Sequence, residues 1–381
     1  MPEILPIIII GTGLAGYSLA REFRKLDTDT PLLMLSRDDG HSYSKPMLST
    51  GFTKNKTAEA LSMGDPGKMA TQLKVSIRNY SEVTHIDTAK KQIFIDSETL
   101  SYSKLVLANG ASVNTLTFPG SEHPNVVSIN DLMDYRHFRD KLDSKKHVLI
   151  MGAGLIGCEY ANDLLNGDYK VTIVDPSTSA LSGLIPDAAG QALIQGLTNS
   201  GAQFHMQSYV SEVAELNKHM LATLNNGIEI ICDIIISAVG IKPNITLAQS
   251  AGIDCHTGVV TDTYLQTSQE DIFALGDCAE INGDIRLFVL PLMASARALA
   301  KTLSGEATAV NFGVMPVITK TPACPVIICP PSSAEGNWQV EQNGLDTECK
   351  FLNSRQELTG FVLTGTKTQE KQNMIKALHR T

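Results

Sequence analysis

The chain has 381 residues, with 31 Lys and Arg against 40 Asp and Glu, a formal net charge of −9, 43% hydrophobic residues and 19% charged ones. That length allows two or three domains, each burying its own core, and the composition is that of a globular protein without low-complexity tracts. An acidic balance with no basic stripe argues against nucleic acid as a partner, and no apolar run reaches membrane-spanning length, so no membrane insertion is expected.

Met1-Pro2-Glu3-Ile4-Leu5-Pro6 carries no positive leader region and runs directly into a strand, which makes the cytoplasm the default location. Seven scattered cysteines without C-x-x-C pairs read as reduced, buried thiols, and no metal site is expected. The first strand is Ile7-Ile8-Ile9-Ile10, followed by Gly11-Thr12-Gly13-Leu14-Ala15-Gly16 and by apolar residues at helical spacing, Leu14, Leu19, Ala20 and Phe23. In such a strand, turn and helix, Gly11 permits the turn, Gly13 admits a pyrophosphate to the backbone and Gly16 lets helix and strand pack closely. A second strand, Pro31 to Leu35, completes the βαβ unit. About twenty residues past the last glycine an acid is expected to hold the ribose, and here the candidates are Ser36, at the strand end, and Asp38.

His41 to Gly51 is polar and turn-rich, and its Lys45 is either a positive charge near a bound cofactor or a surface lysine. Short alternating strands follow at Ser76 to Asn79, Glu82 to Ile86 and Gln92 to Ile95. Leu105 to Ala111, apolar throughout, then returns to the parallel sheet, and its turn at Ala108-Asn109-Gly110 lies where the chain would close over a nucleotide. Pro119 to Asn130 reads as a crossing between domains, and Asp131 to Lys141 as an amphipathic helix.

The pattern then repeats. Val148 to Met151 leads into Gly152-Ala153-Gly154-Leu155-Ile156-Gly157-Cys158-Glu159, and Val171 to Asp175 ends on an acid at the expected distance. Asp175 suits a free ribose 2′-hydroxyl, and no arginine in residues 176–180 would welcome a 2′-phosphate, so NADH is favoured over NADPH. A meander and a closing apolar strand, Ile234 to Val239, complete a second copy of the same element order, which indicates internal duplication. Ile272 to Ala274 leads into Leu275-Gly276-Asp277, where Asp277 would accept a hydrogen bond from a polyol hydroxyl. A helix carrying Leu292, Ala296, Leu299, Ala300 and Leu303 and a small α+β tail from about Met315 end the chain. Cys324 and Cys329 reproduce a C-x-x-x-x-C spacing, but with Pro325 between them they are expected on opposite faces of a strand.

With both glycine fingerprints, Ala108-Asn109-Gly110, Gly240-x-x-Pro243 and Ala274-Leu275-Gly276-Asp277 in this order, the chain resembles the two-dinucleotide-fold, glutathione-reductase-like FAD-dependent oxidoreductases. Within them it is most similar to the rubredoxin–NAD(+) reductases, in runs that include Tyr43 to Phe52, Pro291-Leu292-Met293 and Lys320 to Pro325. The resemblance implies an α/β fold of two Rossmann-like domains, each a central parallel sheet plus β-meander, and a small C-terminal α+β domain. Residues 1–112 and 242–314 would form a discontinuous FAD-binding domain, 113–241 the NAD-binding domain and 315–381 a C-terminal interface domain. It implies that Gly11, Gly13 and Gly16 hold the FAD pyrophosphate, that Lys45 and Pro46 line the flavin, and that Gly276 and Asp277 hold ribitol and phosphate. NADH would bind at Gly152, Gly154, Gly157 and Asp175, with Glu159 close to the nicotinamide. Relatives pair that glutamate with a lysine where this chain has Thr50, which leaves Lys45 or Lys320 to supply the charge. Residues 41–51 hold no cysteine, so the disulfide-reductase dithiol relay is not available there. The implied activity is hydride transfer from NADH to FAD followed by single-electron transfer to rubredoxin. A ferredoxin-type reductase or an NADH oxidase with another acceptor is the alternative.

Overall fold

The computed structural model describes residues 4–142, 146–332 and 334–379. These fall into two compact units, one built from the described parts of 1–45, 60–112 and 241–313, the other from 46–59, 113–240 and 314–381.

The first unit is organised on a parallel five-stranded sheet in the order Ile272–Ala274, Lys104–Leu107, Ile7–Ile10, Leu32–Leu35, Ser76–Arg78. Ile7–Ile10 is central, hydrogen-bonded to a strand on each side, so all four isoleucines are buried. Each such side chain contributes about 1.5–3 kcal/mol by leaving water, which is why the run is β-branched throughout and not alternating. Helix Leu14–Arg24 buries Tyr17, Leu19, Ala20 and Phe23 and packs beside helix Val289–Leu303. The latter covers Leu292, Ala296, Leu299, Ala300 and Leu303, as its spacing implies. A three-stranded antiparallel meander, His85–Asp87, Gln92–Ile95 and Glu98–Ser101, closes the same core. The sequence places the first of these strands at Glu82 to Ile86, whereas strand pairing begins at His85, opposite Phe94.

In the second unit the parallel sheet runs Val126–Val127, Ile234–Ser237, His147–Met151, Lys170–Asp175, Gln203–Met206. Its glycine-motif strand, second strand, third strand and closing strand hold the same relative places as in the first unit, which is the structural form of the duplication. The meander Val210–Leu216, His219–Leu224 and Glu229–Cys232 buries Val213, Met220, Ala222 and Leu224 against Leu149 and Met151. The tail is a five-stranded sheet in the order Val317–Ile318, Val326–Cys329, Leu358–Thr364, Asp346–Leu352, Asn337–Asn343, followed by helix Lys371–Ala377. Helix Asp187–Asn199 packs on three of these strands, Leu358–Thr364, Asp346–Leu352 and Asn337–Asn343. At Gly196 a Cβ would lie 2.5 Å from the Cys324 Cβ, so the close approach depends on glycine. Cys324 does not share a strand with Cys329. It closes a turn with Thr321, donating its N–H to the Thr321 carbonyl at 2.9 Å, and only Cys329 lies in Val326–Cys329.

Candidate active site

The two glycine turns have the same geometry. Gly11 and Gly152 stand at φ +119° and +108°, conformations that an L side chain rarely adopts, and each donates its N–H to the end of the second strand at 2.8 Å, to Leu35 and Val174 respectively. A Cβ on Gly11 would lie 2.2 Å from the Ala108 carbonyl oxygen, and one on Gly152 would lie 2.5 Å from that of Ala238. Gly16 and Gly157 are each pressed against the turn, with a Cβ falling 2.0 Å from the Gly11 or Gly152 oxygen. The middle glycines differ in kind: a Cβ on Gly13 or Gly154 would meet no atom within 4 Å. Both are extended N-cap residues, and no side chain caps either helix, Leu14–Arg24 or Leu155–Asn166, or places an acid in its first turn. Open space over an uncapped helix start, with N–H groups and the positive end of the dipole directed outward, fits a pyrophosphate in both units.

Beyond the glycines the copies diverge. Asp175 accepts from the Ala153 N–H at 2.7 Å and the Ser177 N–H at 2.8 Å, which fixes the carboxylate at the strand end. In the first unit Ser36 takes that strand-end position and meets the Thr12 hydroxyl at 2.5 Å. Ser36 also donates to Asp38, which in turn accepts from the Gly40 N–H at 2.9 Å. Ser36 and Asp38, alternatives in the sequence, are thus one hydrogen-bonded arrangement.

Gly276 tucks beneath the first helix, where its Cβ would be 2.8 Å from that of Ala15. Burial raises the pKa of the neighbouring Asp277, and the positive charge of Lys45 opposes that rise, so these two predicted residues act on each other. Pro46 follows Lys45 in the 3-10 helix Lys45–Thr50.

Glu159 lies on helix Leu155–Asn166 with its side chain 5% exposed. Its carboxylate accepts from the Ser49 hydroxyl at 2.7 Å and from the Lys320 backbone N–H at 3.0 Å, and it forms an ion pair with the Lys320 ammonium. Of the two candidate lysines, Lys320 is therefore Glu159's partner. Thr50 instead turns its hydroxyl to the Met47 carbonyl at 2.9 Å. A carboxylate this buried is stable only because three donors answer it, and removing one would leave it under-satisfied. The Lys320 side chain keeps 30% exposure, so ammonium protons remain for a further acceptor.

Three residues that sequence reasoning did not place at the site stand around Glu159: Ser49, Asn162 and Asp163. A signal for the last two was present, since Glu159, Asn162 and Asp163 fall on one face of a helix that is otherwise largely apolar. All seven cysteines are thiols, and burial pushes Cys158 up, Cys278 to about 12 and Cys349 to about 11. Such thiols stay protonated at neutral pH and are poor nucleophiles.

The chain belongs to the pyridine nucleotide-disulphide oxidoreductase family, whose model matches residues 5–305. Residues 309–378 match a second model, the rubredoxin binding C-terminal domain. A rubredoxin-NAD(+) reductase of Alcanivorax borkumensis is 49% identical over 375 residues, covering 98% of each chain. One from Acinetobacter baylyi is 43% identical over 378 residues, covering 97% of this chain and 96% of its own. Among solved structures, NADH:rubredoxin oxidoreductase from Clostridium acetobutylicum superposes with a TM-score of 0.82 at 20% identity, over 98% of this chain and 94% of that one, a likeness of fold. Among the described residues no helix is long and apolar enough to cross a membrane.

Proposed function

We propose that this protein is an FAD-dependent NADH:rubredoxin oxidoreductase. The observation that carries the reading is the joining of two uncapped dinucleotide turns to a rubredoxin-binding tail in one chain. Residues 1–112 and 242–314 hold FAD through Gly11, Gly13, Gly16, Ser36, Asp38, Ala108, Gly276 and Asp277, with Lys45 and Pro46 on the flavin side. Residues 113–241 hold NADH through Gly152, Gly154, Gly157 and Asp175, and residues 315–381 form the acceptor side. Bound together, NADH and FAD supply hydride transfer and the release of single electrons.

The protein's part is placement and charge. The open faces at Gly13 and Gly154 receive phosphate, and Asp175, fixed by two backbone N–H groups, selects a free ribose hydroxyl pair. Glu159 and Lys320 serve as a paired acceptor and donor beside the nicotinamide, with the ammonium supplying positive charge to a site that gains electrons. Elevated thiol pKa values and a 41–51 segment without cysteine support electron exit without a dithiol. The reduced thiols also support a cytoplasmic setting.

The test is NADH-driven bleaching of oxidised rubredoxin by catalytic amounts of holoenzyme. Two rubredoxins should bleach per NADH, because a hydride carries two electrons and each iron takes one. Faster turnover with a [2Fe–2S] ferredoxin or with dioxygen than with rubredoxin would replace this reading by the corresponding reductase or oxidase.

A further inference from the structure

Glu159, Asn162 and Asp163 present one buried polar face, with 4%, 3% and 1% of each residue exposed. Polar groups survive at such depth only when their acceptors are answered. Here the answers come from outside the helix. The Asn162 Oδ1 accepts from the Ala323 N–H at 3.0 Å. Asp163 accepts twice, from the Phe52 N–H at 3.1 Å and the Thr53 N–H at 2.7 Å, so one carboxylate fixes two consecutive peptide groups. Each segment held this way also carries a group that reaches Glu159: Ser49 three residues before Phe52, and Lys320 three residues before Ala323.

Segment 46–59 has an apolar anchor of its own. The Phe52 ring lies under Arg139, with 4.0 Å from the guanidinium carbon to the ring centroid, and meets Tyr169 edge-on at 5.1 Å. It also presses on Gly167, whose Cβ would fall 2.8 Å from the ring. Attachment is thus supplied by Phe52, and the two directional bonds to Asp163 add orientation.

We infer that Asp163 and Asn162 are positioning residues for the hydride-transfer site, Asp163 acting through Ser49 and Asn162 through Lys320. From one helix they set the direction in which the Ser49 hydroxyl and the Lys320 ammonium donate to Glu159. A carboxylate is required at 163 because both oxygens must accept. An amide there offers one acceptor and turns its NH2 group towards the other N–H. This inference rests on the placement of Glu159 beside the nicotinamide.

The experiment is anaerobic rapid mixing of FAD-loaded enzyme with NADH, reading the limiting rate of flavin bleaching and the NADH dissociation constant. Asp163→Asn should lower the limiting rate by roughly 10-fold, the scale of a small misplacement at a reacting centre, and leave the dissociation constant within twofold. In a Ser49→Ala background the same substitution should change the rate by less than twofold, because the group it orients has gone. Asn162→Leu with Lys320→Met forms an independent cycle with the same expectation, and it serves if Asp163→Asn does not retain FAD. Losses that multiply in both double variants, as general loosening would produce, overturn the inference, as do single variants with wild-type rates. Glu159→Gln separates the two levels. Wild-type rates in that variant would remove the underlying placement of Glu159, whereas a slow Glu159→Gln beside a fast Asp163→Asn would remove the positioning role alone.

Discussion

The glycines of the second turn make opposite demands, and substituting them one at a time separates folding from nucleotide binding. At Gly157 an added Cβ lies 2.0 Å from the Gly152 oxygen, and ordinary contact begins at 3.4 Å, so helix and turn would have to part by 3.4 − 2.0 = 1.4 Å. The turn has no room to retreat, since Gly152 is itself packed against the Ala238 carbonyl, 2.5 Å from its own ideal Cβ position. Gly157→Ala should therefore reach the upper end of overpacking costs, about 3 kcal/mol, or roughly 6–12 °C in Tm for a unit of this size. At Gly154 the Cβ meets nothing within 4 Å, and the backbone, at φ −74° and ψ −176°, suits alanine. Gly154→Ala should leave Tm unchanged or raised by roughly 1–4 °C, because it removes freedom from the unfolded chain by about 0.4–1 kcal/mol. On the proposed function the same methyl would stand where the pyrophosphate approaches. Loss of a hydrogen bond to a charged oxygen is worth about 1.5–3 kcal/mol, so the NADH dissociation constant should rise roughly 10- to 150-fold. Thermal melts of apo and FAD-loaded protein together with rapid-mixing titration of NADH read both quantities. A Gly154→Ala variant that melts lower than Gly157→Ala, or binds NADH within twofold of wild type, would refute the reasoning.

Asp175→Ser should lower NADH affinity and narrow the preference over NADPH, measured as the ratio of kcat/KM values for the two coenzymes. An unchanged ratio would count against selection at that carboxylate. Because burial holds Asp277 above the usual carboxylate range, its charged form costs stability once the pH exceeds the unfolded value, and Asp277→Asn should raise the apoprotein's Tm near neutral pH. The same variant should release FAD more readily, by about 1.5–3 kcal/mol if an acceptor for a cofactor hydroxyl is lost, as read by flavin fluorescence on dilution. His147 is held below its ordinary pKa by burial and by the nearby Lys170 charge. The unfolded chain therefore takes up the proton first, and stability falls as pH drops below about 6.5 until the folded histidine also titrates. His147→Gln should flatten that acid limb in melts across neutral to mildly acidic pH, and an unaltered slope would assign the limb to other groups.

Legibility followed the range of the interaction. Helix Val289–Leu303 and the strands around both glycine turns could be read because periodicity and turn chemistry act within a few residues. Helix Asp187–Asn199 could not. It contains Gly190 and Gly196, poor helix formers, and Gly196 is there for the approach of Cys324, 128 positions along the chain (324 − 196). The strand expected at Cys324 gives way to a turn for a related reason, since the Thr321 hydroxyl donates to the Cys324 carbonyl at 2.8 Å.

By itself the sequence determined the two nucleotide turns, their order and the acid at Asp175, since each is a local pattern of glycine, apolar run and strand end. The family resemblance added Lys45 and Lys320 as the two candidates for the charge beside Glu159. Only the tertiary structure decided for Lys320, 161 residues from Glu159, and brought the Thr12 hydroxyl against Ser36 across 24 residues. No periodicity encodes a contact across that separation. Backbone N–H groups of two distant segments meet Asn162 and Asp163 on the same helix face, and a buried carboxylate tolerates only the donors that the fold delivers to it.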